Sequence, residues 1–396
     1  VINEDRLLAL TMKNGRITLP HGLSYRVLVL PDHKVLSLAA LTKIVDLVQK
    51  GAVVIGPKPE TTASLVGGPA SEVKRKTIAD ALWGDASQPS GERKLGLGRV
   101  AWGKTAREVL LADGVKPDAQ LVSTGASANP GQVFDYLHKT GKGTGSLDYY
   151  FVSNQNKDAA TLTATFRVSG KLPELWNPVT GETRPATAYQ QADGQTTVPL
   201  ELTPYGSVFV IFRKVIPATQ QGTTAGNYPV TLPVQTLTGP WQVEFDPNWT
   251  AGSPATLTFD PLVSWTQRPE EGIKFYSGKA TYRKTFDVDT VGRSALAFLD
   301  LGTVQDVGVA RVRLNGKNLG IVWCPPFRVP VSGLLKPTGN RLEIEVVNSW
   351  RNRLVGDRGK PASERLTKTN ITIRPDWQLL PSGLMGPVQI LVATPP

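Results

Sequence analysis

VARVRLNGKNLGIV, residues 309–322, consists of two alternating apolar and polar runs joined by Asn315-Gly316. Ala310, Val312 and Leu314 alternate with Arg311 and Arg313, the period of a half-buried strand. Asn-Gly tolerates the left-handed backbone that a two-residue hairpin turn demands. The stretch reads as a β-hairpin, and its surroundings repeat the pattern. Trp241–Phe245, Thr256–Phe259, Gly278–Val288, Ala295–Leu301 and Arg341–Val347 also alternate, with no helical period between them. Seven or more short strands in one run predict a β jelly roll or similar sandwich over 237–396.

Upstream, a second set of alternating segments predicts an antiparallel β-sandwich over 119–214: Val133–Lys139, Asp148–Asn154, Ala160–Val168, Thr187–Gln191, Thr196–Leu202 and Ser207–Arg213. Turn clusters separate them, among them GKGTGS (141–146), NPVTGE (177–182) and ADG (192–194). Residues 215–236, rich in Gly, Thr, Gln and Pro, have no period and read as a linker. Residues 1–118 alternate strand and helix instead. Tyr25–Leu30, Ala52–Ile55 and Gly98–Trp102 are apolar strands, and Leu38–Lys50, Glu72–Trp83 and Thr105–Ala112 are helices, the first with Ser37 as N-cap and Gly51 just past its end. Strands joined through helices predict a parallel sheet with right-handed crossovers, a small flavodoxin- or amidotransferase-like α/β domain. The expected class is multidomain, α/β plus all-β.

Composition narrows the chemistry. The 396 residues carry 44 Lys+Arg against 33 Asp+Glu, a formal charge of +11, but the basic residues are scattered in short runs such as Lys74–Lys76 and Arg351–Arg353. That pattern predicts a solvated surface and no nucleic-acid partner. No apolar run approaches the ~20 residues that cross a bilayer, so no membrane partner is expected. Cys324 is the single cysteine, which excludes an intrachain disulfide or a multi-thiolate metal site, and His21, His33 and His138 lack metal-ligand spacing. The opening VINEDRLLAL has neither initiator Met nor signal-peptide pattern. It reads as a piece cut from something longer.

Familiar catalytic motifs are missing. Gly96-Leu97-Gly98 and the Gly-rich 141–145 complete neither GxGxxG nor a P-loop, and no GxSxG occurs. An amidotransferase would need a Cys nucleophile in the α/β domain, yet Cys324 lies in the last one. Glu174, Glu270, Glu271, Asp300, Asp306 and Asp357 are candidate acids or bases, but no spacing singles out a pair for glycosidic chemistry. No catalytic residue is assigned.

Aromatic and planar polar side chains in the last domain are more informative. A sugar ring stacks its C–H face on an aromatic and needs fixed donors and acceptors for its hydroxyls. SWTQ (264–267), FYSG (275–278), WCPPFR (323–328), NSWRNRLVGD (348–357) and RPDW (374–377) supply that mixture at strand ends. Trp323, Phe327, Arg328, Asn348, Trp350, Asn352, Arg353 and Asp357 are the candidate carbohydrate- or interdomain-contact residues. Against this stands a plain alternative in which Trp241, Trp265 and Trp350 plug a core.

TGPWQVEFDP (238–247), LVSWT (262–266), GIKFYSGKATYRKTF (272–286), the run from Leu299 to Asp357 and LLPSGLMGPVQI (379–390) resemble the C-terminal sandwich of large bacterial α-L-rhamnosidases of glycoside hydrolase family 106. That sandwich is similar to the galactose-binding-like, sugar-binding jelly roll of family 2 enzymes. YRVLVLP, VDLVQKGAVVIGPKP, LDYYFVSN and PELWNPVTGE resemble the middle of the same proteins.

The resemblance implies a catalytic (β/α)8 barrel, with acid and base carboxylates and a calcium ion, lying N-terminal to everything here. No eight-fold βα pattern fits the first 118 residues, so no cofactor is expected in this chain, and calcium belongs to the parent enzyme. HKTG (138–141) departs from an expected His-Arg pair: Lys139 keeps the charge without the planar fork. The implied role is an accessory, carbohydrate-binding or scaffolding region of a glycoside hydrolase. Its implied partners are a rhamnose-containing oligo- or polysaccharide and the parent's barrel, in the periplasm or outside a bacterial cell. The alternative is a purely structural or oligomerisation module without a ligand.

Overall fold

The computed structural model describes residues 1–62, 66–125, 128–129, 131–141, 147–289, 296–306 and 308–394. The Gly-rich turn expected at 141–146 therefore lies, apart from Gly141, outside the described residues. The protein is β-rich and divides into two compact units, Val1–Asp118 and Ala119–Pro396.

In the first unit, strands Val27–Val29, Val53–Ile55 and Gly98–Trp102 pair in parallel, as the alternating pattern predicts. Gly91–Leu95, charged and unforeseen, adds an antiparallel edge. The Ser37 hydroxyl accepts the Ala40 N–H at 3.0 Å and starts helix Leu38–Gln49, and Gly51 follows with φ +110°, where a side chain would be strained. Leu41, Ile44, Leu47 and Val48 of that helix are buried together with Val54, Leu82, Trp83 and Val100. Thr105 and Glu108 form a reciprocal capping box on helix Ala106–Ala112.

Two antiparallel sheets share the first core of the second unit. One runs in the order 183–185, 171–176, 207–215, 147–154, 134–141, and the other 190–192, 195–202, 160–166, 119–124. Tyr150, Phe166 and Phe212 meet at its centre, with centroids 4.6 Å apart for the first pair and 5.6 Å for the second.

The second core lies between a four-stranded sheet (230–236, 389–394, 297–300, 328–330) and a six-stranded sheet (256–259, 241–245, 279–286, 340–347, 309–314, 317–322). The hairpin turn forms as expected, with Asn315 at φ +53° and Gly316 at φ +82°. The Asn315 side chain also accepts from the Arg341 N–H and donates to Leu334 O, pinning the turn to the next strand. One expectation is corrected: the segment 215–236 is not a free linker. Asn227 is buried, donating to Ala188 O and Pro199 O and accepting from Ala188 N, and Val230–Thr236 is a strand paired with Gln389–Thr394.

Candidate functional site

Register places the exposed aromatics. Ala310 pairs with Val322 and Val309 with Val347, so Trp323 and the Asn348–Trp350 turn leave the six-stranded sheet at the same end. Strand 309–314 lies between their strands, which separates the two exits by two strand spacings, about 10 Å. Phe245 pairs with Ala280 next to this end, so the 246–249 turn joins the same rim. Trp323 is 56% exposed and Trp350 65%. Trp249, at 38%, is a third rim aromatic. The Asp246 side chain accepts the Asn248 N–H and shapes the turn that carries it, so Asp-Pro-Asn is its sequence signal.

All the remaining candidate residues except Arg328, whose side chain is 26% exposed, face inward. Phe327 is in the core, and Arg328 closes the four-stranded sheet, donating from Nε and Nη2 to Asp300 Oδ2 at 3.1 and 2.7 Å. Asn348 accepts from Gly278 N and donates to Tyr276 O and Ser382 Oγ. Asn352 holds Leu380 and Ser382. The Arg353 guanidinium donates to Trp249 O at 3.0 Å and Gly272 O at 3.2 Å. Burial pulls its pKa below the usual arginine range, opposed by the charge of Asp357. Asp357 Oδ2 accepts from the Thr367 N–H and hydroxyl at 2.8 and 2.7 Å.

Phe327, Asn348, Asn352, Arg353 and Asp357 are thus buried among the chain's own groups. They tie the rim together. Helix Arg351–Asp357 anchors the long irregular stretch that follows it through Asn352 and Asp357. Arg351, stacked 4.2 Å from the Trp377 ring centroid, and Arg358, donating to Arg374 O and Pro375 O, add further anchors. The Asp306 carboxylate accepts from the Ser349 N–H and hydroxyl at 2.7 and 2.6 Å and joins two more loops. Fixed loops are what a sugar-stacking aromatic needs, because ordering it on binding would cost affinity.

Of the carboxylates weighed as acids or bases, Asp306 and Asp357 hold rim loops, Glu271 is exposed, and the other three are held by neighbouring donors. Glu174 is gripped by Arg213 and by the Trp176 indole N–H, Glu270 by Arg268, and Asp300 by Arg328. His138 and Lys171 both contact Asp148, on a different sheet from the strands that carry Trp323 and Trp350. Among the described residues no three His, Cys, Asp or Glu side chains gather as a metal cage.

Comparison with known proteins follows the same outline. The family model of the glycoside hydrolase family 106 alpha-L-rhamnosidases matches residues 1–191. A solved rhamnosidase from Novosphingobium sp. PP1Y is 33% identical, with a TM-score of 0.80, over 98% of this chain and 36% of its own. A curated Formosa agariphila protein, provisionally named a beta-glucuronidase, is 23% identical over 99% of this chain and 52% of its own length. The chain thus spans about half of the one relative and about a third of the other, and it contains a rhamnosidase-family region.

Proposed function

We propose that this chain is an accessory region of a glycoside hydrolase acting on rhamnose-containing glycans, and that Trp323 and Trp350 are its saccharide platform. The observation that carries the reading is the pairing of two exposed tryptophans at one end of one sheet, on loops held by buried polar side chains. Likeness to a rhamnosidase over nearly the whole chain supports the substrate class. Each ring would stack on the C–H face of a sugar, while the solvated rim supplies hydroxyl partners. In this reading bond cleavage belongs to a catalytic barrel of the parent protein, and the partner glycan is met in the periplasm or outside the cell.

A second reading is favoured by a specific observation. Phe327, Asn348, Asn352, Arg353 and Asp357 are all buried, as in a scaffold whose polar residues serve only its own loops. Calorimetry separates the two. The first expects rhamnose-containing oligosaccharides to bind the chain with a Kd near millimolar, about −4 kcal/mol, and binding to be lost in Trp323→Ala and Trp350→Ala. No heat with the unsubstituted chain, or unchanged heat in both variants, leaves the scaffold.

A further inference from the structure

We propose that the outer face of the six-stranded sheet holds a second saccharide site, specific for a sugar bearing an isolated anionic group, carboxylate or sulfate ester. The proposal rests on the reading of the protein as carbohydrate-active, but uses none of the rim tryptophans. A half-open cavity of about 400 Å³ lies there, lined by Pro240, Gln242, Arg283, Lys284, Arg313 and Arg341 among others. Its volume falls in the range of small-molecule clefts, ~300–1,000 Å³.

Strand register explains why cations gather. Gln242, Arg283, Glu343 and Arg313 form one cross-strand row on the solvent side. Arg341 is two residues before Glu343 on the same strand and therefore shares its face, about 7 Å along. Glu343 is the single carboxylate of the lining, and it is already shared between Arg283 Nε at 3.1 Å and Arg313 Nη1 at 2.9 Å. Arg283 also pairs with Glu244, and Arg313 reaches Glu345 at 3.8 Å.

Two further cations line the cavity without a carboxylate ion pair among the described residues. Arg341 forms no ion pair among the described residues. The Lys284 ammonium donates to Pro240 O at 3.1 Å and lies 5.2 Å from the Trp241 ring centroid, and the charge of Asp260 favours it from a distance. Burial depresses its pKa, the condition that an incoming anion relieves.

The rest of the lining suits a sugar. Gln242 and Thr285 offer amide and hydroxyl partners, while Pro240 offers apolar surface for a ring face. Arg341 presents the planar fork that meets a carboxylate or sulfate through two parallel hydrogen bonds. A dense polyanion fits poorly, because Glu244, Glu343 and Glu345 interrupt the same face. Single charges are favoured over a phosphate backbone.

The test is calorimetry on the full chain at about 50 mM salt, where such contacts are little screened. The probes are tetragalacturonate for carboxylate, a kappa-carrageenan tetrasaccharide for sulfate, maltotetraose as the neutral control and a short DNA duplex as the polyanion. One or both anionic tetrasaccharides should bind and maltotetraose should not. Arg341→Ala and Lys284→Gln should each weaken binding by about tenfold with the thermal midpoint kept, and Trp350→Ala should leave it unchanged. The relative strength of the two anionic probes assigns the ligand group. Equal binding of maltotetraose, tighter binding of DNA, full affinity in Arg341→Ala, or no binding of either anion would overturn the proposal. Loss of anion binding in Arg341→Ala with rhamnoside binding intact separates this site from the rim platform.

Discussion

Asn352 holds Leu380 by both ends of its amide: Nδ2 donates to the Leu380 carbonyl and Oδ1 accepts the Leu380 N–H, each at 2.8 Å. The side chain thereby imitates a strand partner for a residue that has none. Nδ2 also donates to Ser382 Oγ at 2.9 Å. Asn352→Ala would empty a fully buried position and leave the Leu380 N–H without its partner, while the Leu380 carbonyl and Ser382 Oγ keep each other and Ser382 Oγ keeps Asn348 Nδ2, so a loss of about 1–2 kcal/mol is expected. Denaturant melts measure that loss, and limited proteolysis should find new cleavage between residues 358 and 382.

Beside this clamp the Trp265 indole donates to the Tyr282 hydroxyl at 2.6 Å, and the Leu384 N–H donates to the same oxygen at 3.1 Å. Complete burial drives the Tyr282 pKa far above its ordinary value, so the hydroxyl is neutral at every working pH. Tyr282→Phe leaves two buried donors unpaired and should cost about 2 kcal/mol. Gly383 passes over this pair at φ +106°, where an added Cβ would meet the indole nitrogen and lie 2.7 Å from the Tyr282 oxygen. Gly383→Ala should therefore cost about 1–3 kcal/mol or more. Equal thermal midpoints for either variant and the parent would refute the account.

Local signals carried well from sequence to structure. Ser37 caps its helix, Asn315-Gly316 turns its hairpin, and three apolar runs pair in parallel because each signal involves neighbours in the chain. Val230–Thr236 was illegible for the opposite reason: its partner begins at Gln389, and its own residues show no period. In 348–357 composition identified important residues but not their direction. Asn, Arg and Asp satisfy a main-chain carbonyl or N–H with the same groups that would grip a sugar hydroxyl, and only burial tells the two apart. The sheet-face cations were overlooked because Arg283, Arg313 and Arg341 are scattered in sequence and meet only through register.

Acid should weaken the first unit through Glu72. Its carboxylate accepts from the Thr62 N–H at 2.8 Å, from Arg75 Nε at 2.8 Å and from the Thr62 and Thr61 hydroxyls. These bonds, the Thr62 N–H first, lower its pKa from 4.5 to about 2. A depressed carboxyl binds its proton more readily when unfolded, so its stabilisation is full above about pH 4.5 and is lost as the pH falls toward about 2. Glu72→Gln should melt at lower temperature than the parent near neutrality, with the gap closing toward about pH 2. A gap that is constant across that range would contradict the assignment.

Iodide quenching offers a direct reading of the tryptophan platform. Of the nine tryptophans, Trp83, Trp241 and Trp265 are almost wholly buried, whereas Trp323 and Trp350 are the most exposed. Iodide cannot enter a packed core, so the quenchable emission should come chiefly from these two, with a smaller share from Trp249. The Trp323→Ala, Trp350→Ala double variant should lose most of that fraction. Its stability should move by no more than about 0.5 kcal/mol, the usual range for surface substitutions. If the rim binds a rhamnose-containing oligosaccharide, adding it must shield the parent from iodide and leave the double variant's residual quenching unchanged. Shielding that persists in the double variant would move the sugar away from this end of the sheet.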